Sequence, residues 1–502
     1  MARKQRLDYM LTNMFVTDMY PLSLMDKKCF RDFVKELDSE YDLPSRTTLE
    51  KVLFVDKFNV LNERLHEILS QVEFTTISIG TWISKCSDRK YISFKCHFLW
   101  EKQLHEVVLA TKEASFVTPL RTRQLLDQII DNWKFEDKIR FTVSINMEDI
   151  SGAENILRNI PNLPSLTDTL DQLANCYAEI AEINRLVEKC ETILKILMLS
   201  AENEYRITPS YKTENSPQST STLTWRNVYK LIKQILKLWE ESQAIYDITR
   251  CSLSSRDIEK LKVCISYFDL ISQTLQHISN FQFATHSMTI PILNGIFNKL
   301  ESIKNNSPEK INIVEKLKTS VNFCLKSLEA NDISLISTIL DPRFKTLGFS
   351  QPYIEQTARM KVKHKLSEIR QKKRNRASPE RICLNEEMPV LDYLSGKRRE
   401  IYEPVTIELD DYLKEPTIRS TEDPLQYWEN SKCKFPNIYS IALQYLCIPA
   451  SILCSEWMRS VSSMLSNGDS DEINSEKVDK FIFLKRNRWI ITGETTYCMH
   501  SS

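Results

Sequence analysis

Apolar and polar positions along this chain change period several times, and each change predicts a different element. Through residues 1–70 the spacing is helical, and PLSLMDKKCFRDFVKEL sets Leu22, Phe30, Phe33 and Leu37 near one stripe of a single helix. A turn from Tyr41 to Arg46, containing Pro44, separates it from the next helix. At Phe74 the period falls to two. FTTISIG predicts a strand, and YISFKCHFLW a second, in which Ile92, Phe94, Cys96 and Phe98 form the core face and Tyr91, Ser93, Lys95 and His97 a half-exposed one. HEVVLA follows a polar turn and completes an antiparallel meander. A helix over Leu125–Trp133 then leads into IRFTVSI, whose Ile139, Phe141, Val143 and Ile145 share the face of a fourth strand.

Helical spacing resumes at Leu170 and runs to Leu197 as one long packed helix through Leu173, Tyr177, Ile180, Val187, Cys190 and Leu194. TPSYKTENSPQSTST, 208–222, is polar with two prolines and predicts a surface loop. Helices continue from Trp225 to about Ile369, where KVKHKLSEIRQKKRNR concentrates positive charge. Acidic, proline-containing sequence to about Thr421 then resembles a linker. Leu425, Trp428, Ile438, Ala442, Tyr445 and Leu446 restore the helical pattern from 423.

Composition narrows the functional classes. Of 502 residues, 67 are Lys or Arg and 67 Asp or Glu, so no net field draws the protein to nucleic acid, and any DNA contact requires a local patch. Only 7 glycines argue against glycine-rich phosphate loops. The opening MARKQRLDYMLTNMF has no apolar signal core, and no run of about 18 apolar residues occurs, so a soluble, non-secreted protein is expected. The 13 cysteines form no CxxC pair and are expected as free thiols rather than zinc ligands. Cys96 and His97 are adjacent on a strand and face opposite sides, which suits packing better than metal binding. Trp82, Trp133, Trp225 and Trp428 are expected as core anchors.

The segment DPLQYWENSKCKFPNIYSIALQYLCIPASILCSEWMRSVSSM resembles the C-terminal dimerisation region of hAT-superfamily transposases. That region reads as an acidic Pro-Leu, a Trp, a Phe-Pro, an Ala-x-x-x-Leu helix, IPASS and SERxFS. The matching residues are Asp423, Pro424, Leu425, Trp428, Phe435, Pro436, Ala442, Leu446, Ile448, Pro449, Ala450, Ser451, Ser455 and Glu456. LDPRFK at 340–345 and Pro44-Ser45-Arg46 are similar to two further family elements, so the resemblance runs along nearly the whole chain. The pattern is similar to transposase-derived host proteins of the BED-finger and DREF type, although no CxxC with a later His pair precedes the body, and the finger is expected to be absent.

The resemblance implies an RNase H-like core, which the order of three antiparallel strands, a helix and a fourth strand also fits. In this family three carboxylates hold two divalent metals that cut and join phosphodiesters. The first acid of TTDxWTS corresponds to Gly80 in SIGTWIS, with Trp82 and Ser84 retained. The second, in VTDNAxN, corresponds to Ile145 in VSINMED, with Asn146 retained. The family's CxxH pair would fall near SLTD, 165–168, and TRW is reduced to LTW, leaving Trp225. Only the third acid survives, as Glu456. One carboxylate of three does not make a two-metal site, so the resemblance implies a chain that is not an enzyme and needs no cofactor.

The expected architecture is therefore α/β and predominantly helical: an RNase H-like core interrupted by a large all-α insertion and completed by the hAT dimerisation region. Its domains are an N-terminal helical region at 1–70, the first part of the core at 71–165, the helical insertion at 166–370, a charged linker at 371–422, and the dimerisation region with the end of the core at 423–502. The expected protein is nuclear and catalytically inactive. It is a homodimer, or a heterodimer with another hAT-derived protein, in DNA-associated or transcriptional regulation, with no membrane or small-molecule partner. Lys372, Lys373, Arg374 and Arg376 are candidate DNA or nuclear-import contacts, or simply a solvated helix face. The alternative function is a protein-interaction scaffold that never touches DNA.

Overall fold

The computed structural model describes residues 3–18, 20–84, 89–114, 118–144, 160–199, 224–241, 253–281, 283–303, 308–376, 404–452 and 475–493. They fall into two compact units, one of residues 1–165, 425–434 and 439–502, the other of residues 166–424 and 435–438.

The first unit is built around a five-stranded sheet. Strands β1 (Thr75–Ile83), β2 (Lys90–Trp100) and β3 (Gln103–Glu113) form an antiparallel meander, and β4 (Ile139–Ser144) and β5 (Asn162–Pro164) run parallel to β1, giving the order β3-β2-β1-β4-β5. Between β2 and β3 the two-residue turn has positive φ at both Glu101 (48°) and Lys102 (66°), the hairpin geometry that matches strand twist but that L residues other than Asn and Gly adopt at a cost. Helices α1 (Arg3–Asp18), α2 (Lys28–Leu37), α3 (Phe54–Gln71) and α4 (Pro119–Trp133) complete the N-terminal part. Thr118 starts α4 by accepting the Arg121 amide, Pro119 presets its first turn, and Lys134 ends it in the left-handed conformation.

One face of the sheet, with Ile77, Ile79, Phe94, Cys96 and Phe98, shares a core with Leu61, Leu65 and Leu69 of α3 and Leu126 of α4. The distant segment Ser475–Asn487 joins this core through Phe481 and Phe483, whose rings lie 4.9 Å from Phe54 and 4.7 Å from Phe58. Each buried aromatic contributes about 1.5–3 kcal/mol, so this last segment is bound chiefly by its apolar side chains.

The second unit is helical. It comprises α5 (Leu166–Asn175), α6 (Ala181–Leu199), α7 (Trp225–Glu241), α8 (Ser255–Asn280), α9 (Thr289–Ile303), α10 (Pro308–Glu329), α11 (Asp332–Ile339), α12 (Pro352–Arg376) and α13 (Pro404–Lys414). The helices α14 (Pro424–Ser431), α15 (Pro436–Leu446) and α16 (Ser475–Asn487) fall wholly or mostly in the first unit, which takes residues 425–434 and 439–502. A Ser254–Asp257 capping box opens α8. Tyr267 of α8 donates its hydroxyl to the Leu173 carbonyl at 2.7 Å, and Trp225 of α7 donates Nε1 to Asp171 at 2.9 Å, tying both to α5.

Four sequence expectations need correction. The segment 21–37 is not one helix: Leu22–Asp26 is a 3-10 turn, Lys27 is extended, and no residue of α2 is buried, with Phe33 60% and Leu37 71% exposed. The expected 170–197 helix breaks at the 3-10 turn Cys176–Glu179; the turn keeps Tyr177 and Ile180 buried, which hid the break from the apolar spacing. The polar face of β2 is not half-exposed, since Lys95 and His97 are both 3% exposed. Finally, residues 404–422 of the expected linker contain α13, with Leu409 and Tyr412 fully buried, and Ile418 donates its amide to the Pro342 carbonyl. Proline at 404 opens this helix rather than marking a spacer. No described helix is long and apolar enough to cross a membrane.

Candidate functional site

Gly80 lies in β1 opposite Ser93 of β2, and its neighbour Ile79 is opposite Ser144, the last residue of β4. Hydroxyl and amide groups surround this end of the two strands. Ser93 accepts the Trp82 indole proton at 2.9 Å and shares a hydrogen bond with Thr111 at 3.1 Å; Asn162 donates to Ser144 at 3.0 Å and accepts from Thr142 at 3.0 Å. Trp82 stacks on Tyr91 with ring centres 4.6 Å apart. Divalent metals of the Mg class bind oxygen ligands and favour carboxylates. Here glycine offers no side-chain ligand, and the neutral hydroxyls already hydrogen-bond to one another, so these residues do not fit a two-metal centre. Among the described residues, no three His, Cys, Asp or Glu side chains group as a metal site. Ile145, Ser455 and Glu456 lie outside the described residues.

The same face of the sheet carries a partly buried ionic cluster that the sequence did not reveal. Glu106 of β3 contacts Lys95 of β2 at 3.1 Å and Arg486 of α16 at 2.8 Å, and His97 lies opposite it. Burial pushes the Glu106 carboxyl up, but Lys95 and Arg486 outweigh that and hold it well below the usual carboxylate range. Burial depresses His97 to about 4 against the raising effect of Glu106, so the ring is neutral and its Nε2 meets the Ser78 hydroxyl at 2.7 Å. On the opposite face Cys96 is buried and its thiol is pushed up by desolvation. Both residues are packed, and neither coordinates with the other.

LDPRFK folds into a second buried knot, in the helical unit. Arg343 and Asp341 are paired at 2.6 Å with both side chains fully buried. Arg343 also donates to the Phe283 carbonyl and the Thr285 hydroxyl, and Asp341 accepts from Ser287. Every polar group of the pair is therefore occupied, the condition under which a buried pair is tolerated. Lys345, 2% exposed, donates Nζ to the carbonyls of Tyr412, Glu415 and Pro416 at 2.7, 2.9 and 3.4 Å and sits 4.3 Å from the Tyr412 ring centre. The motif thus binds the C-terminal end of α13, where helix carbonyls lack partners and attract a cation.

The C-terminal motif residues are mostly interior. Leu425, Trp428, Phe435, Ala442, Leu446 and Ile448 are at most 5% exposed within one chain, and Pro449 is also buried, whereas Pro436 is exposed at the start of α15. Glu408 accepts the amides of Asn437 and Ile438, both at 2.9 Å, at that helix N-terminus. These motif residues therefore build the platform of the region, and a partner would meet the side chains around them. Trp82, Trp133 and Trp225 are likewise buried, as expected of core anchors.

Positive charge on α12 is balanced from Arg359 to Lys365, the described part of its basic run. Arg359 contacts Glu355 at 2.7 Å and Asp410 at 3.6 Å, Lys361 contacts Asp332 at 2.8 Å, Lys363 contacts Asp410 at 3.6 Å, and Lys365 contacts Glu368 at 3.0 Å. The backbone of Lys372, Lys373, Arg374 and Arg376 continues the helix, and their side chains lie outside the described residues.

A sequence profile of the hAT family C-terminal dimerisation region matches residues 408–488. The human zinc finger BED domain-containing protein 4 is similar at 20% identity over 96% of this chain and 43% of its own length. A putative AC transposase of maize is 20% identical over 93% of this chain and 63% of its length, and the rice zinc finger BED domain-containing protein RICESLEEPER 3 is 20% identical over 89% and 64%. The chain thus spans less than half of the human relative and somewhat less than two thirds of these plant ones.

Proposed function

We propose that this chain, which carries a hAT-family dimerisation region and is related along nearly its whole length to BED-finger proteins and a hAT transposase, is a nuclear, catalytically inactive dimer that acts in DNA-associated regulation. The dimerisation region supports oligomerisation. The sheet order β3-β2-β1-β4-β5, with the first three strands antiparallel and β4 and β5 parallel to β1, supports an RNase H-like core. The observation that carries the loss of catalysis is Gly80, where the resemblance expects the first metal-binding carboxylate, amid hydroxyls already bonded to one another.

Light-scattering mass on the purified chain, followed by duplex DNA binding over a salt series and a cleavage assay with Mg²⁺ and Mn²⁺, tests the three parts separately. A dimeric mass, salt-sensitive binding and uncut DNA are expected. A monomer refutes the dimer, and metal-dependent cleavage abolished by Glu456→Gln refutes the inactivity. The second reading, an interaction scaffold without DNA contact, is favoured by one observation: described cations of α12 from Arg359 to Lys365 already have carboxylate partners. A dimer indifferent to DNA at low salt would establish it.

A further inference from the structure

We infer that the first half of the basic helix α12 is shielded by its own chain: Asp332 and Asp410 occupy Arg359, Lys361 and Lys363 as phosphate stand-ins, and duplex DNA reaches these three cations by displacing them. This deepens the DNA-associated reading and rests on it. Asp332 opens α11 and Asp410 lies in α13, so two different elements of the helical unit present carboxylates to one helix. Asp410 is shared by Arg359 and Lys363, one turn apart at i and i+4, while Asp332 takes Lys361. The shield on α13 is held in place by Lys345, which grips the carbonyls at that helix's end.

Geometry also makes the shield displaceable. Asp332 is 53% and Asp410 43% exposed, and Arg359, Lys361 and Lys363 are 33–42% exposed. Ion pairs this open are individually weak and are screened by salt. A phosphate backbone offers a repeating negative charge that releases counterions when it replaces them, a gain the fixed carboxylates lack. Self-neutralisation would thus set a threshold: isolated anions compete poorly, and an extended duplex competes well.

The test compares the full chain with Asp332→Asn/Asp410→Asn for binding to a fluorescently labelled random-sequence duplex between 50 and 300 mM salt. Asp32→Asn/Glu36→Gln on α2 makes the same change of net charge away from α12 and serves as control. Circular dichroism melting checks that both variants fold like the parent. The shield variant is expected to bind about threefold to a hundredfold more tightly, the span that three exposed ion pairs of ordinary strength set, and the control to stay within about twofold. Adding Lys361→Gln/Lys363→Gln to the shield variant should erase the gain. Equal tightening by shield variant and control would overturn the inference, reducing it to net charge. Parental binding with an unmoved shield variant would overturn it while leaving DNA association standing. No binding by any variant even at 50 mM would overturn both.

Discussion

Replacing Lys345 with Met keeps the length and apolar stem of the side chain and removes only the ammonium, which isolates the grip of LDPRFK on α13. In the native protein that ammonium donates to three backbone carbonyls, two of them within 3.0 Å, and lies over the Tyr412 ring. A hydrogen bond from a charged donor contributes about 1.5–3 kcal/mol, and a buried acceptor left without a partner costs about 1–3 kcal/mol. Against this stands the desolvation of a cation that is 2% exposed, which the substitution relieves. The long contact at 3.4 Å adds little, and the freed carbonyls sit at a helix end that can relax toward water. The expected net loss is about 2–4 kcal/mol, a large fraction of the stability of an ordinary domain. Urea unfolding of the full chain measures it, and hydrogen exchange of the 404–418 peptide locates it, with protection falling there before the rest of the helical unit. A loss under about 0.5 kcal/mol with that peptide still protected would refute the reasoning, because Met would then serve as well as the ammonium.

Asn487→Ala should cost about 2–3 kcal/mol, since its amide both accepts from and donates to the Val108 backbone, at 3.0 and 2.8 Å, in a buried position; exchange of the β3 amides reads the loss. Glu101→Asn/Lys102→Gly should stabilise the first unit by about 1 kcal/mol by relieving two positive φ angles, less whatever the exposed Lys102–Glu429 pair contributes, and a drop in the melting temperature would count against that turn. Burial lowers His97 and His286 to about 4, so folding is favoured while both are neutral, and the advantage is present above the unfolded value near 6.5 and lost as pH falls from there to 4. Each should remove up to about 3 kcal/mol over that window, and His286→Asn should flatten the pH dependence of urea unfolding of the second unit, followed by hydrogen exchange of its peptides.

Local periodicity carried much of the first unit. Strands β1 to β4 and α4 were legible because their apolar alternation is local, and the turn before β3 was marked by charge. Strand β5 was not, since three residues of sequence Asn-Leu-Pro have no period, and only pairing with β4 makes them a strand. Lys95 and His97 looked like a solvent face because their shared partner Glu106 is itself held by Arg486, hundreds of residues away. Likewise, acid and proline in 404–422 suggested a linker until Lys345 supplied the contact that folds it. At the candidate site, the identity of Gly80 could be read from motif alignment, while the hydroxyl pairs around it required the register between β1, β2 and β3. Phe33 and Leu37 show the converse failure: their stripe is a true amphipathic pattern, and within the described chain nothing buries it.

Helix α16 does more than fill a core. β3 is the outer strand of the sheet, and side chains of α16 take its backbone groups: Asn487 at Val108, Asp479 at the Thr111 amide 2.7 Å away, and Ser475 at Glu113. An edge covered in this way from Val108 to Glu113 offers a poorer template for another strand. Since α16 lies within the stretch matched to the dimerisation region, cutting that region away to obtain a monomer would strip the sheet of its border and leave a chain prone to stick edge to edge. A clean monomer of this protein has to be sought by changing exposed side chains one at a time, with α16 left in place.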